Sequence, residues 1–277
     1  MAYAASGALM GLVDLSTVDN TGPGPFNLGG GVGTTLARQS YYLQKVPGVD
    51  PNLGGGEFIY AKNTTANTAG QSITSITTAA GTSIATVTVG SAHSLQVGAQ
   101  VVLVSQVPAG YAGTFVVLSV PSTTTFTYDH GSVNLGATTT QGTYTFGALF
   151  PGVLCTLSSA LSSGVNVVSA GIAASTAGTG APLCVANVGL LNGQWGWFKT
   201  QGVATVNTTG APAIGNPVGL GTAGIVSPTL AAGKQIINAT YASAVSAVVG
   251  SGTQARTLSA TQALVMINNP CVQTQIL

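Results

Sequence analysis

The chain has 277 residues, only 4% of them are charged, and the net charge is +1. Soluble globular domains usually carry about 25% charged residues, so this surface lacks the usual protection against self-association. All five acids lie before residue 151, which leaves little acid/base chemistry to the second half of the chain. Gly, Ala, Thr, Ser and Val are abundant and Glu, Lys and Arg are scarce, a composition that favours a mainly β fold.

Residues 1–46 are predicted to form an extended N-terminal arm. The segment TGPGPFNLGGGVG resists both helix and ladder formation because of its Gly and Pro residues. Phe26, Tyr41 and Tyr42 give the arm apolar anchors that can dock on a neighbouring subunit, so we expect them to be interface residues. No signal peptide is expected, because the apolar start has neither a Lys or Arg n-region nor a long h-region.

The first predicted core strand follows the Gly run of LGGGEFIYAK, with Phe58 and Tyr60 on one face. A phosphate-binding Gly loop would lead into a helix, and these glycines lead into a strand instead. We assign residues 47–71 and 147–277 to a β core that binds the partner. Phe58 and Tyr60 are further interface candidates.

Residues 72–146 are predicted to form an inserted small β domain. Its β-rich runs, separated by turn residues, are SIATVTVG, QVVLVSQV, GTFVVLSV and TTTFTYDHG. Their spacing predicts a small sandwich or barrel. Because insertions are tolerated at exposed loop tips, we expect this domain to point away from the surface that the core binds.

Beyond the insertion, residues 147–180 fit a strand pair and a weak helix equally well. From Leu183 onward, short alternating runs bounded by Gly, Asn or Pro predict an antiparallel β-sandwich or barrel. Trp195 and Trp197 share one face of a strand in this part. Core packing and an interface anchor are both compatible with their rings, and we include them among the interface candidates.

The sequence predicts no catalytic, cofactor-binding or metal site. Zinc needs three or four convergent ligands, and His93 and His130 have a single nearby carboxylate. A serine hydrolase is not expected, because the chain has no GxSxG elbow. The cysteines, which have no CxxC spacing, are predicted to be buried thiols in a reducing compartment; they are Cys155, Cys184 and Cys271.

Nucleic-acid binding and membrane insertion are also disfavoured. Six dispersed cations do not form the Lys/Arg stripe that phosphate contacts require. The mean hydropathy is +0.46. Even so, Gly, Ser, Thr or Asn interrupts every apolar stretch before the ~18 residues that a membrane helix needs.

Four segments resemble a family of small bacteriophage capsid decoration (cement) proteins. They are LGGGEFIYAKNTTANTAG, QWGWFKTQGVATVN, PVGLGTAGIV and ALVMINNP. In that family a Gly-Glu-Phe-Ile-Tyr strand begins the core, a Tyr/Trp-Gly-Trp-Phe strand runs through its middle and an Ile-x-x-Pro strand closes it. The resemblance covers residues 40–70 and 183–270.

The inserted segment resembles a small β domain that recurs in phage head and tail proteins. The segments AHSLQVGAQVVLV, PAGYAGTFVVLSV and STTTFTY carry this resemblance. The chain departs from the pattern at Ser94, where Gly is usual, and at Ala112, where Asn is usual. Its turns are therefore expected to differ.

The resemblance implies a virion structural protein, made in the host cytoplasm, that binds the outer surface of an icosahedral head. Its expected partners are the major capsid protein and further copies of itself, as a trimer where capsomers meet. A tail, fibre or baseplate component that contacts a host surface or glycan is one alternative, although the long repeats of a fibre are not found. A hydrolase on a β scaffold is another.

Overall fold

The computed structural model of the protein describes residues 18, 20, 46–50, 53–133, 135–162, 165–173, 180–250 and 255–273. The predicted arm lies outside the described residues except for Val18, Asn20 and Val46. The described residues are nearly all β and include no α-helix, which confirms the predicted fold class.

Eighteen strands and one short 3-10 helix make up the regular structure of the described residues. In chain order the strands are β1 (Val46–Asp50), β2 (Gly54–Asn63), β3 (Thr68–Thr78), β4 (Ile84–Val89), β5 (Gln100–Val104), β6 (Gly113–Ser122), β7 (Thr125–Asp129), β8 (Thr143–Phe146), β9 (Leu154–Ser162), β10 (Val165–Ile172), β11 (Leu183–Ala186), β12 (Trp195–Asn207), β13 (Pro217–Leu220), β14 (Val226–Ser227), β15 (Gln235–Tyr241), β16 (Val248–Val249), β17 (Arg256–Thr257) and β18 (Gln262–Val272). The 3-10 helix spans Ala109–Tyr111.

The strands divide between two compact units. The first, here called the sheet unit, contains the described residues of Met1–Thr64, Pro151–Val188 and Gly193–Leu277. The second, the barrel unit, contains those of Thr65–Phe150 and Gly189–Asn192. The start predicted for the insertion, residue 72, falls within β3, a strand of the barrel unit.

The barrel unit is a closed antiparallel barrel with the strand order β3-β4-β7-β6-β5-β8. Alternation builds its core: β4 turns Ala85, Val87 and Val89 inward and leaves Thr86 and Thr88 half-buried on the outside. The four predicted strands correspond to β4 to β7. Sequence analysis missed β3 and β8, the pair that closes the barrel.

The sheet unit contains a ten-stranded sheet in the order β1-β2-β10-β9-β11-β12-β18-β15-β13-β14. Only β2 and β10 run parallel; the other neighbours in this order are antiparallel. β12 pairs with β11 and β18 on one edge and with β2 on the other, so the sheet closes on itself through β2 and β12. β9 and β10 form a strand pair, which decides between the two interpretations of residues 147–180.

Each unit has an apolar core of its own. In the sheet unit the core consists of buried side chains from β9, β11 to β15 and β18 together with Ala173. In the barrel unit it includes the aromatic side chains Tyr111, Phe126, Tyr128 and Tyr144. Removal of this apolar surface from water is the main force that stabilises both units.

Candidate functional site

Four predicted interface residues meet where β2 pairs with β12. Trp197 is directly opposite Tyr60, and Phe58 is opposite Lys199. Directly opposite residues of an antiparallel pair point to the same face. Phe58, Tyr60, Trp195 and Trp197 therefore form one cluster, here called the aromatic seam. The other three candidates, Phe26, Tyr41 and Tyr42, lie outside the described residues.

Ring contacts hold the aromatic seam together. Tyr60 stacks on Trp195 with ring centroids 5.8 Å apart and meets Trp197 at 5.0 Å with an interplanar angle of 56°. The Lys199 ammonium lies 5.2 Å from the centre of the Phe58 ring, and its Nζ donates a hydrogen bond of 2.6 Å to a main-chain carbonyl. Each aromatic pair adds about 0.5–1.5 kcal/mol beyond its buried area, so the seam stabilises the closure of the sheet.

The aromatic seam is buried inside the sheet unit. Phe58 and Tyr60 have no exposed surface, Trp197 exposes 1% and Trp195 exposes 8%. Phe198, on the opposite face of β12, is also fully buried. Core packing is thus the interpretation that describes these rings, because they have almost no exposed surface and contact one another across β2 and β12. A partner that binds the folded chain does not reach them.

The exposed apolar surface lies at other residues, which sequence analysis did not single out. The exposed large apolar side chains of the described residues are Ile84, Val97, Val104, Val107, Val116, Leu118, Val133, Ile214, Leu230, Ile237, Val248 and Met266. Val116 and Leu118 are outward positions of β6, a signal that its alternation already contained. Single exposed apolar groups are ordinary, but here few charges surround them. Both units therefore present a largely neutral surface.

An open groove of about 410 Å³ lies on the sheet unit beside β13, β15 and β18. The β13–β15 ladder is interrupted there, and Asn238 takes a left-handed φ of 60° within the irregular part of β15. Ile237 and Met266 expose apolar surface to the groove, and none of its lining residues is titratable. The groove suits apolar and amide contacts, and its lining has no acidic or basic side chain.

A partly buried series of hydrogen bonds links His130, Thr78, Tyr111 and Gly136 in the barrel unit. His130 Nε2 lies 3.3 Å from Thr78 Oγ1, Thr78 donates to the Tyr111 hydroxyl at 3.2 Å, and Tyr111 donates to the Gly136 carbonyl at 3.2 Å. That direction assigns the proton of a neutral His130 to Nε2 and leaves its buried Nδ1, which has no partner, unprotonated. These hydrogen bonds connect β3 and the end of β7 to the 3-10 helix.

Burial decides the protonation of His130. It lowers the pKa of the imidazole and outweighs the opposite effect of the neighbouring Asp129 carboxylate. Asp129 accepts a hydrogen bond of 2.8 Å from the Gly131 amide. Hydrogen bonds from Ser83 and Gly131 lower the pKa of that carboxyl. We therefore expect a neutral imidazole beside a charged carboxylate at neutral pH.

The three cysteines are free thiols in the sheet unit. Cys155 and Cys184 are fully buried, as predicted, whereas Cys271 is only partly buried. In the part of the chain that the structure describes, no three His, Cys, Asp or Glu side chains lie together as metal ligands. Among the same residues, no helix is long and apolar enough to span a membrane.

Comparison with known proteins gave no match: no family model, no curated protein and no solved structure is similar to the chain. The chain's own residues are therefore the basis for assigning a function. The structural features that bear on function are the two closed β units and their neutral, partly apolar surface.

Proposed function

We propose that the protein is a capsid decoration protein of a tailed bacteriophage. It binds the outer surface of the phage head as a homotrimer, contacts the major capsid protein and stabilises the junctions between capsomers. It is made in the host cytoplasm and becomes part of the virion. The motifs that resemble the decoration family support this proposal, as does the surface chemistry of the chain.

The neutral surface is the observation that carries the proposal. The chain has six cations and five acids, so few ion pairs can form with any partner. A free protein stays in solution partly through surface charge, which this chain lacks. A protein held in a fixed lattice needs contacts instead, and neutral groups lose less hydration energy than charges when a neighbour covers them.

The exposed apolar groups supply the binding energy. Covering them contributes about 25 cal/mol for each Å² of apolar surface removed from water. Closed β units present these groups on a firm framework, so ordering them on binding costs little conformational entropy. Because such binding favours the assembled head over its separate parts, it stabilises the shell by mass action.

Binding to purified heads tests the proposal. Heads that lack the protein are mixed with the full-length chain, and bound copies are counted and located by cryo-electron microscopy. We expect density on the outer surface at capsomer junctions, and heads that withstand a higher temperature. Density on the tail or baseplate, or no binding to heads, would contradict the proposal.

Two matched substitutions locate the binding surface. Met266 in the sheet unit and Val116 in the barrel unit are 47% and 50% exposed. We expect Met266→Glu to weaken head binding about tenfold or more, because an unpaired carboxylate would be covered by the shell, whereas Val116→Glu leaves it unchanged. The reverse pattern would assign the shell contact to the barrel unit. If neither substitution weakens binding, apolar contact at these surfaces is not what holds the protein on the head.

A further inference from the structure

We propose that Cys155 and Cys184 are a disulfide site: hydrogen peroxide joins them into a bond between β9 and β11. The pair stays reduced in a cytoplasm that contains thiol reductants, and it oxidises once the protein leaves that environment. The inference concerns the chain itself and does not depend on binding to a phage head.

The register of the sheet places the two cysteines directly opposite each other. The nearest backbone hydrogen bonds on either side lie two residues away and run from the Leu157 amide to the Pro182 carbonyl and from the Ala186 amide to the Val153 carbonyl. By the alternation of an antiparallel ladder, Cys155 and Cys184 are then a hydrogen-bonded pair. The Cα atoms of such a pair are about 5.5 Å apart, a separation typical of disulfides.

The Cys184 thiol contacts the main chain of Cys155. The Cys184 Sγ donates a hydrogen bond of 3.8 Å to the Cys155 carbonyl oxygen, and the Cys155 Sγ donates one of 3.6 Å to the Val153 carbonyl oxygen. Neither residue has any exposed surface. Burial raises the pKa of Cys184, so its reactive thiolate is scarce. Burial also keeps bulky reagents away from the sulfur. Hydrogen peroxide is nearly as small as water and can enter through local openings of the sheet.

The reaction balances with one molecule of peroxide. One cysteine sulfur attacks a peroxide oxygen, the O–O bond breaks, and a sulfenic acid and one water form. The second sulfur attacks the sulfenic sulfur, so the S–S bond forms and the S–O bond breaks, and the hydroxyl group leaves with the remaining thiol proton as a second water. Two thiols lose two electrons in total, and the peroxide gains them.

The bond would join β9 to β11 within the closed part of the sheet unit. A crosslink restricts the unfolded chain more than the folded one, so the oxidised sheet unit unfolds at a higher temperature. Outside a cell no reductant reopens the bond. The folded chain would therefore become more stable without a change in its strand pairing.

The experiment uses the full-length protein, treated with hydrogen peroxide, then with catalase, and finally unfolded in N-ethylmaleimide. The untreated chain should take up three maleimide groups, one for each cysteine, and the oxidised chain only one. Peptide mapping should then place the bond between Cys155 and Cys184. Dithiothreitol should restore three reactive thiols, and calorimetry should show a higher unfolding temperature for the oxidised form.

Cys271→Ser is the matched control, because this residue is the more accessible thiol and is not in the pair. We expect the variant to form the same bond and to keep no free thiol after oxidation. The proposal is overturned if Cys271 is oxidised while the other two cysteines remain free, or if mapping links Cys271 to either one. A lower unfolding temperature after oxidation would also overturn it, since the native register would then not accept the bond.

Discussion

The barrel unit and the sheet unit close in different ways. All six barrel strands lie between Thr68 and Phe146, so the barrel is built from one continuous part of the chain. The sheet unit closes where β2 pairs with β12, and the whole barrel lies between those strands in sequence. Local alternation predicts the barrel strands β4 to β7, but not β3 and β8, which complete the first kind of closure. The second depends on a pairing between distant strands that no local pattern reveals.

The units also differ in their titratable groups. Both histidines lie in the barrel unit, which has no Lys or Arg, and Asp129 is its only acid. The cysteines and every cation of the chain lie outside that unit. We therefore expect changes in pH near neutrality to act mainly on the barrel unit and thiol chemistry to act on the sheet unit.

Removing a ring of the aromatic seam should produce the largest difference in stability between the two units. Trp197→Ala deletes a side chain that is 1% exposed and packs against Tyr60 at 5.0 Å. We expect it to destabilise the sheet unit by about 3–5 kcal/mol. Calorimetry should show a lower unfolding transition for the sheet unit and an unchanged transition for the barrel unit, because each has its own core.

Phe126→Ala is the matched change in the barrel unit, where Phe126 is fully buried. It should lower the barrel transition by a similar amount and leave that of the sheet unit in place. If either substitution moves both transitions together, the units unfold as one and the comparison between them fails.

A methyl group at Gly70 should distort the closure of the barrel. The Cβ of Gly70→Ala would overlap the Tyr144 carbonyl oxygen of the neighbouring strand β8, a backbone atom that cannot move away freely. We expect a loss of about 1–3 kcal/mol in the unfolding free energy of the barrel. Gly90→Ala is the control, because its nearest neighbour would be the Thr74 hydroxyl at 3.8 Å. Equal denaturation midpoints for the two variants would contradict this account of the closure.

Acid should destabilise the barrel unit through His130. The unfolded histidine binds a proton near its ordinary pKa of 6.5, whereas burial lowers the pKa of the folded one. The folded state therefore binds fewer protons below about pH 6.5, and its stability falls as the pH falls through this range. The barrel transition, measured by calorimetry between about pH 7 and about pH 5, should move to lower temperature as the solution is acidified.

His130→Gln should flatten that pH dependence and leave the effect of Asp129 in place. The pKa of Asp129 is lowered in the folded state, so its contribution to stability is present above its ordinary value of 3.8 and is lost as the pH falls through the lowered value. The two contributions thus occupy separate pH ranges. An unchanged slope between about pH 7 and about pH 5 in the His130→Gln variant would show that another group is responsible.

The native thiols should differ in rate with a bulky reagent. Cys271 is partly exposed, while Cys155 and Cys184 are fully buried. Ellman's reagent should therefore modify Cys271 first and reach the other two only when the sheet unit opens. A single rate for all three thiols in the folded protein would contradict the assigned burial.

Sequence patterns gave the class of the fold and four strands of the barrel. The alternation of β4 and β7 is regular, and their inward residues are the ones that the structure buries. β3 was missed because it contains bulges, opposite β4 and opposite β8, which interrupt its alternation. β8 has only four residues, too few for a reliable period.

The candidate site was harder to predict than the fold. The sequence correctly predicts that Trp195 and Trp197 share one face of a strand, but alternation alone does not tell a core face from a surface face when both are apolar. Only the pairing of β12 with β2 shows that Tyr60 packs against these rings. Met266 is an outward position of β18, between the buried Val265 and Ile267, whereas Ile237 lies beside the irregular part of β15.

The salt dependence of head binding tests the central claim most directly. Heads that lack the protein are titrated with the full-length chain from about 0.1 M to about 1 M sodium chloride, where the screening length falls from about 10 Å to about 3 Å. If neutral and apolar contacts hold the protein on the head, its dissociation constant should stay nearly constant or fall slightly as salt rises. Release of the protein from heads at high salt would contradict the account, because the few charges of the chain would then supply the binding energy.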